Sequence, residues 1–182
     1  MHTRPLFIAL AAFAVTSSLI GLPGSAQVFK NHDSSAPVNF DADRIEVQDR
    51  ADRVVVSGNV NVTQAGMVLN AARMTVAYHQ GGGGSNLEID RIDASGNVVV
   101  TKGNETARGN VAIYDLNKRI ITMLGNVSLT QGSNRLTGGR VVMDLNSGRS
   151  TVDGRAAGGA GVTGGSGGRV SGTFTVPKRT GN

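Results

Sequence analysis

The chain has 182 residues, a formal charge of +5 and no cysteine, and only 4% of its residues are aromatic. This length allows one domain of ordinary size, and the lack of cysteine excludes thiol nucleophiles, thiolate metal sites and disulfides. Acidic and basic residues are equal in number over residues 27–154, whereas the segment after residue 154 has only basic charges. A basic tail on a neutral body is not the pattern of a nucleic-acid-binding protein.

The first 26 residues have the pattern of a cleavable secretory signal. Arg4 precedes an apolar stretch from Leu6 to Leu22, and Gly24-Ser25-Ala26 supplies the small residues that a signal peptidase recognises. The stretch is shorter than the ~20 apolar residues of a spanning helix. We therefore predict that a secreted mature chain begins near Gln27 and that residues 27–36 form a flexible leader. An uncleaved membrane anchor is the alternative.

The body of the chain contains an internal repeat. The segment GNVNVTQ at residues 58–64 recurs as GNVVVTK at 96–102 and as GNVSLTQ at 125–131, so that the glycines lie 38 and then 29 positions apart. The glycine run at 81–84 accounts for the difference, and we interpret it as an insertion in a surface loop. A recurring unit of this length predicts a stacked architecture built from one supersecondary element.

Each repeat alternates apolar and polar residues with a period of two, which is typical of a strand with one buried face. Short strands joined by turns rich in Gly, Asn and Asp predict an all-β fold over residues 37–153, with either a β-jellyroll or a solenoid-like architecture. Residues 154–168 are a Gly-rich low-complexity segment, residues 169–176 form a C-terminal edge strand, and residues 177–182 form a basic tail.

Catalytic and metal-binding residues are scarce in this sequence. His32 and His79 lack the spacing of metal ligands, and we expect both to be exposed. Asp49 and Asp52, like Asp90 and Asp93, lie at predicted bends, where Asp is a common turn former. The glycine run at 81–84 lacks the Lys-Ser/Thr ending of a phosphate loop. We therefore predict no enzyme activity, no metal and no cofactor.

The apolar face is the remaining candidate for function. This face either packs together as a closed core or stays partly open and admits acyl chains. In the second case each buried methylene would contribute ~0.8 kcal/mol to the free energy of binding. The sequence does not separate the two readings. If the face is open, the side chains predicted to contact lipid are Val47, Val56, Val60, Val62, Met74, Val76, Val98, Val100, Val111, Ile113, Met123, Val127, Leu129, Val141 and Met143.

The two ends of the sheet form a second candidate, because an unclosed sheet exposes unpaired N–H and C=O groups. Another copy of the chain could pair with these edges by β-strand addition, which would build a head-to-tail filament. The residues predicted to lie at these edges are Val38, Phe40, Val170, Phe174 and Val176.

The sequence VVVSGNVNVTQ at residues 54–64, followed by NAARMTV at 70–76, resembles the OstA-like domain of the LptA family. The recurrences at 96–102 and 125–131 match the same pattern. Val38-Asn39-Phe40 resembles the first edge strand of that family, and residues 174–177 are similar to its C-terminal Val-Pro stretch. The resemblance is good over residues 37–153 and weak in the tail, where the Gly-rich segment departs from the pattern.

This resemblance implies a twisted, open and solenoid-like β-jellyroll of repeated antiparallel strands. It also implies a periplasmic protein that carries lipopolysaccharide by its lipid A acyl chains. Copies would stack between an LptC-like inner-membrane protein and an LptD-like outer-membrane protein, with energy from an ATP-driven exporter and no nucleotide site in this chain. An LptC-like protein that keeps its N-terminal helix is one rival. A structural β-solenoid with a closed core and no ligand is another.

Overall fold

A computed structural model describes Phe29 and residues 32–82, 86–154 and 168–175. In this part of the chain ten β-strands and one 3-10 turn (Asp49–Ala51) alternate with short turns. The strands are β1 (Asn39–Asp41), β2 (Arg44–Gln48), β3 (Arg53–Gln64), β4 (Met67–Gln80), β5 (Leu87–Lys102), β6 (Glu105–Asp115), β7 (Ile120–Gln131), β8 (Asn134–Asp144), β9 (Arg149–Asp153) and β10 (Ser171–Thr173).

The described strands form a single antiparallel sheet in which β3 to β8 follow one another as neighbours. Two short strands lie at each end of the sheet: β1 and β2 both pair with β3, and β9 and β10 both pair with β8. The sheet therefore has two free edges and does not close into a barrel. The prediction of an all-β, open, antiparallel architecture is confirmed.

The repeated Gly-Asn pairs are β-bulges. Gly58-Asn59, Gly96-Asn97 and Gly125-Asn126 all have positive φ, between 46° and 83°, and the pairing register shifts at each of them. Two residues there oppose one on the neighbouring strand, and such a bulge bends its strand. Because the bulges lie side by side across the sheet, the sheet folds along one line into two wings.

We call these the first wing (residues 44–57, 73–82, 86–95, 111–124 and 140–153) and the second wing (residues 39–41, 60–71, 98–109, 127–138 and 171–173). Their apolar faces turn toward each other and share one core cluster. Side chains of alternating size fill it: Met74, Ala94, Ala112, Met123 and Val141 are successive partners across β4 to β8. The small alanines make room for the two methionines, as close packing requires.

The structure corrects one part of the predicted apolar face. On β6, Ala112 and Tyr114 are buried in the core, whereas Val111 and Ile113 lie on the outer face and are partly exposed. The prediction that these two residues face inward is therefore wrong. Asn110 is the single residue opposite the bulge of β5, and the pairing of β6 with β7 also shifts its register at this point. The inward alternation of β6 therefore changes phase there, since a slip of one residue exchanges the two faces.

The predicted boundaries differ from the structure at both ends. Phe29 and His32, expected in a solvated leader, are buried, and Phe29 belongs to the core cluster. The C-terminal strand expected over residues 169–176 is limited to Ser171–Thr173. Gly81 and Gly82 lie at the end of the β4–β5 hairpin, as expected. Residues 1–28, which hold the predicted signal, and residues 83–85, 155–167 and 176–182 lie outside the described part.

Candidate functional site

An apolar cavity of about 350 Å³ lies on the inner face of the first wing, near the edge that β1 and β2 form. This volume is within the range of ligand pockets, roughly 300–1,000 Å³. Its walls come from β1 to β5 and are aliphatic or aromatic apart from one carboxylate. The lining residues are Phe40, Ile45, Val47, Asp49, Val54, Val56, Val76, Tyr78, Leu87 and Ile89.

The outer wall of this cavity is the exposed edge strand β2. Ile45 and Val47 are paired with Val56 and Val54 of β3, so all four belong to the inner face. The side chain of Val47 is nevertheless 60% exposed, because β2 has no further strand beside it and β1 is only three residues long. The apolar inner face therefore continues from the buried core to solvent at this edge.

The opposite wall of the cavity is an extension of the β4–β5 hairpin. Three residue pairs, from Tyr78–Ile89 to Gln80–Leu87, continue beyond the last pairs of the neighbouring strands. Leu87 is 63% exposed there although it also lines the cavity. Exposed large apolar side chains on both walls indicate a site that apolar ligands can enter.

Asp90 anchors this extension. The pairing of β4 with β5 shifts its register at Asp90. The main-chain carbonyl of Asp90 accepts a hydrogen bond from the Leu116 N–H at 3.0 Å. Its carboxylate accepts a second hydrogen bond from Asn117 Nδ2 at 2.8 Å. His79 Nδ1 lies 2.9 Å from the other carboxylate oxygen. The bonds from Asn117 and then His79 lower the pKa of Asp90, and the bond to Asp90 raises the pKa of His79. These contacts hold the hairpin in place beside the cavity.

The leader covers another part of the inner face. His32 packs edge-on against Tyr114, with ring centroids 6.4 Å apart, and its Nε2 lies 3.1 Å from Oε1 of Gln64. Burial lowers the pKa of His32 and raises the pKa of Tyr114. Phe29 and His32 of the leader are thus part of the packed molecule.

The predicted lipid-contact residues fall into three groups. Val47, Val56 and Val76 line the cavity, and Val111 and Ile113 are on the outer face. The other ten are buried in the core between the wings, with no more than 4% of each side chain exposed: Val60, Val62, Met74, Val98, Val100, Met123, Val127, Leu129, Val141 and Met143. Lipid contact remains a prediction for all inward residues.

The predicted edge residues differ in burial between the two ends of the sheet. Val38 and Phe40 are partly buried against the core, and Phe40 lines the cavity. Val170 and Phe174 flank β10 and are exposed, Phe174 by 57%. Val176 lies outside the described residues. Pairing of these edges with another chain is untested and remains a prediction.

Sequence reasoning missed the cavity residues Tyr78, Leu87 and Ile89 because it interpreted the adjoining glycine run only as a loop insertion. The long apolar alternation on both sides of that run was the available signal. It also missed Gln64, since a lone glutamine at a strand end gives no sign of burial. Among the residues that the structure describes, no cluster of His, Cys, Asp and Glu could hold a metal ion.

Comparison with known proteins identifies the family. Residues 39–149 match the family described as LptA/(LptD N-terminal domain) LPS transport protein. The chain belongs to this family. The family is one of transport proteins rather than of enzymes, and membership supports involvement of the chain in lipopolysaccharide (LPS) transport.

Two similar proteins extend this comparison. An uncharacterized protein of Rhizobium meliloti (strain 1021) is 32% identical in an alignment of 124 residues, and the match covers 63% of this chain and 67% of the relative. In fold, the chain is similar to LptH of Pseudomonas aeruginosa, with a TM-score of 0.67 and 19% identity over 80% of this chain and 99% of LptH. LptH is described as the LptA-homologous periplasmic component of the LPS transport device. Within the described residues we find no helix that could cross a membrane.

Proposed function

We propose that this chain is a periplasmic conduit that carries LPS by its lipid A acyl chains from the inner to the outer membrane. The observation that carries the proposal is the apolar cavity at the β1/β2 edge, whose walls reach solvent at Ile45, Val47 and Leu87. Acyl chains suit such walls, because each buried methylene contributes about 0.8 kcal/mol to the free energy of binding. The walls also have few polar groups that would need hydrogen-bond partners.

The two free edges support a head-to-tail bridge. The β1/β2 edge presents the cavity, and the β9/β10 edge presents Val170 and Phe174. If the β9/β10 edge of one copy pairs with the β1/β2 edge of the next by strand addition, the apolar interior continues from copy to copy. In this proposal the terminal copies dock on an LptC-like protein at the inner membrane and on an LptD-like protein at the outer membrane.

Photo-crosslinking in cells tests lipid transport. A photoreactive amino acid at Val47 or Val76 should capture LPS, because both side chains line the cavity. The same amino acid at Ile113 is the matched control, since Ile113 lies on the outer face of the first wing. Equal capture at all three positions, or capture only at Ile113, would contradict the proposal.

A structural module without ligand is the second candidate, and the packed centre of the inner face favours it. The crosslinking experiment separates the two, because a closed module captures no lipid at Val47 or Val76. The LptC-like alternative is tested by the N-terminal sequence of the protein recovered from cells. We expect it to start near Gln27, whereas a start at Met1 would favour a retained anchor.

A further inference from the structure

A polar cluster interrupts the apolar inner face where the leader crosses it. Gln64 is on the second wing and Tyr114 on the first, and both are buried. The Tyr114 hydroxyl donates a hydrogen bond to Oε1 of Gln64 at 3.0 Å. This bond joins the two wings directly.

The leader satisfies the remaining hydrogen-bonding capacity of Gln64. Its Nε2 donates to the main-chain carbonyl oxygens of Ser34 at 3.0 Å and of Ala36 at 2.9 Å. Close by in the chain, Phe29 is 0% exposed within the core cluster, and its amide donates to the carboxylate of Glu105. The leader thus supplies the inner face with a large apolar group and two carbonyl acceptors.

These contacts define what could replace the leader. The amide of Gln64 would lose both acceptors if the leader left, and an unpaired buried donor is costly. A replacement must therefore bring carbonyl oxygens for Gln64 and an apolar group for the volume of Phe29. Acyl chains joined through ester or amide bonds have both features on one molecule.

Two features make the seated leader easier to displace than ordinary core. Phe29 has a φ of 60°, in the left-handed region that is unfavourable for a side chain of this size. His32 Nδ1 is buried without a hydrogen-bond partner, which is also unfavourable. The leader therefore gains less from its site than its burial alone suggests.

We propose that Phe29 and residues 32–36 occupy a second acyl-chain site, in which the Gln64 amide recognises the ester or amide carbonyls of an acylated amphiphile that displaces these residues. This inference rests on the lipid-conduit function proposed above and extends it to a site away from the cavity lining. The leader then acts as an internal substitute for the ligand and closes this part of the inner face while no lipid is bound.

A single introduced thiol tests displacement, because the natural chain has no cysteine. In the Phe29→Cys variant the thiol should react slowly with a maleimide, and 1-lauroylglycerol below its micelle concentration should accelerate the reaction at least tenfold. The ether 1-O-dodecylglycerol, which has the same chain length and no carbonyl, should accelerate it much less. Phe174→Cys, at an exposed position, is the matched control and should react fast throughout.

Binding of both amphiphiles is measured separately by calorimetry on the unmodified chain. Amphiphile binding that leaves the reactivity of the introduced thiol unchanged overturns the second site but leaves the conduit function standing. Absence of binding of either amphiphile to the unmodified chain overturns both proposals. Equal acceleration by ester and ether overturns recognition by Gln64. Hydrogen exchange at residues 32–36 of the unmodified chain, which should increase with 1-lauroylglycerol, gives the same answer if Phe29→Cys disturbs the fold.

Discussion

Exposure distinguishes residues of one inner face that look alike in sequence. Val47 and Val60 are both valines on an alternating strand, yet Val47 is largely exposed beside the cavity and Val60 is buried in the core. A change at Val60 removes packing contacts, which destabilises the fold. A change at Val47 acts on the cavity wall and leaves the core intact. Residues such as Val47 therefore allow binding to be tested separately from folding.

Val47→Asp should weaken acyl-chain binding about tenfold, equivalent to about 1.4 kcal/mol. The carboxylate would meet apolar chains at the wall of the cavity without being forced into the core. Calorimetric titration with 1-lauroylglycerol measures the affinity, and thermal unfolding should stay close to that of the unmodified chain. Asn70→Asp adds the same charge on the exposed outer side of β4 and should bind normally. Equal losses in the two variants would refute a specific role for Val47.

Protonation of His32 should loosen the leader. Burial lowers its pKa below 6.5, so the unfolded chain binds the proton more readily than the folded chain. The stability that depends on neutral His32 is therefore complete above about pH 6.5 and decreases as the pH falls toward the lower folded pKa. His79 has a raised pKa and acts in the opposite direction.

The His32→Asn variant isolates this contribution, because it keeps His79 and cannot be protonated. The free energy of unfolding, measured in urea between pH 7.5 and 5.5, should fall more steeply with acid in the unmodified chain than in the variant. Parallel pH profiles would show that His32 titrates alike in both states.

At the scale of the element, the bulges fold the sheet into wings. Gly58, Gly96 and Gly125 all have positive φ, and a Cβ added to any of them would come too close to a neighbouring residue, namely Asp43, Ala72 and Asn110 respectively. A Cβ added to Gly96 would lie 2.7 Å from the Cβ of Ala72, closer than real contacts allow. Glycine is therefore required there for two reasons, the backbone conformation and the space. Because both reasons act at the fold line, these glycines matter more than those of the exposed turns.

Gly96→Ala should accordingly destabilise the chain more than Gly66→Ala. Gly66 also has a positive φ, of 76°, but an added Cβ would meet nothing within 4 Å. We expect Gly66→Ala to cost about 1 kcal/mol from the left-handed conformation alone, and Gly96→Ala to cost roughly 1–3 kcal/mol more from overpacking. Urea unfolding followed by far-UV circular dichroism measures both values. Equal losses of stability in the two variants would show that Ala72 moves aside without strain.

At the scale of the whole molecule, the two free edges determine how copies could meet. The β1/β2 edge holds an exposed apolar strand, and the β9/β10 edge is followed by exposed Phe174. An unlike pair of edges favours a heterologous, head-to-tail contact, which does not close. Val38 and Phe40 are poor positions at which to test this contact, because both pack on the core and their substitution would also weaken the fold.

Phe174→Asp should weaken self-association about tenfold with little change in thermal stability, because the side chain is mostly exposed in the single chain. Sedimentation velocity over a range of concentrations measures the association. Asn70→Asp, in the middle of the outer face, is the control for added charge and should associate normally. An unchanged association constant in Phe174→Asp would exclude this part of the β9/β10 edge from the contact.

The alternation of residues determined the strand type and most of the core, because burial of one strand face requires a period of two. The Gly-Asn repeats likewise marked the positions of the bends. The sequence could not show on which face of the sheet Val111 and Ile113 lie, because the face of each β6 residue depends on which residue of β6 lies opposite the bulge of β5. That register is a property of pairing between distant segments.

Only the tertiary structure decided which part of the apolar face is open. Val47 and Val62 have the same alternating context, and they differ because β2 is the last strand of its wing, whereas Val62 has a strand on either side and belongs to the core cluster. The burial of Phe29 and His32 was equally invisible in sequence, because their partners Glu105 and Tyr114 are distant along the chain. Local pattern thus determines strands and bends, whereas the position of a strand in the sheet determines exposure to solvent and ligands.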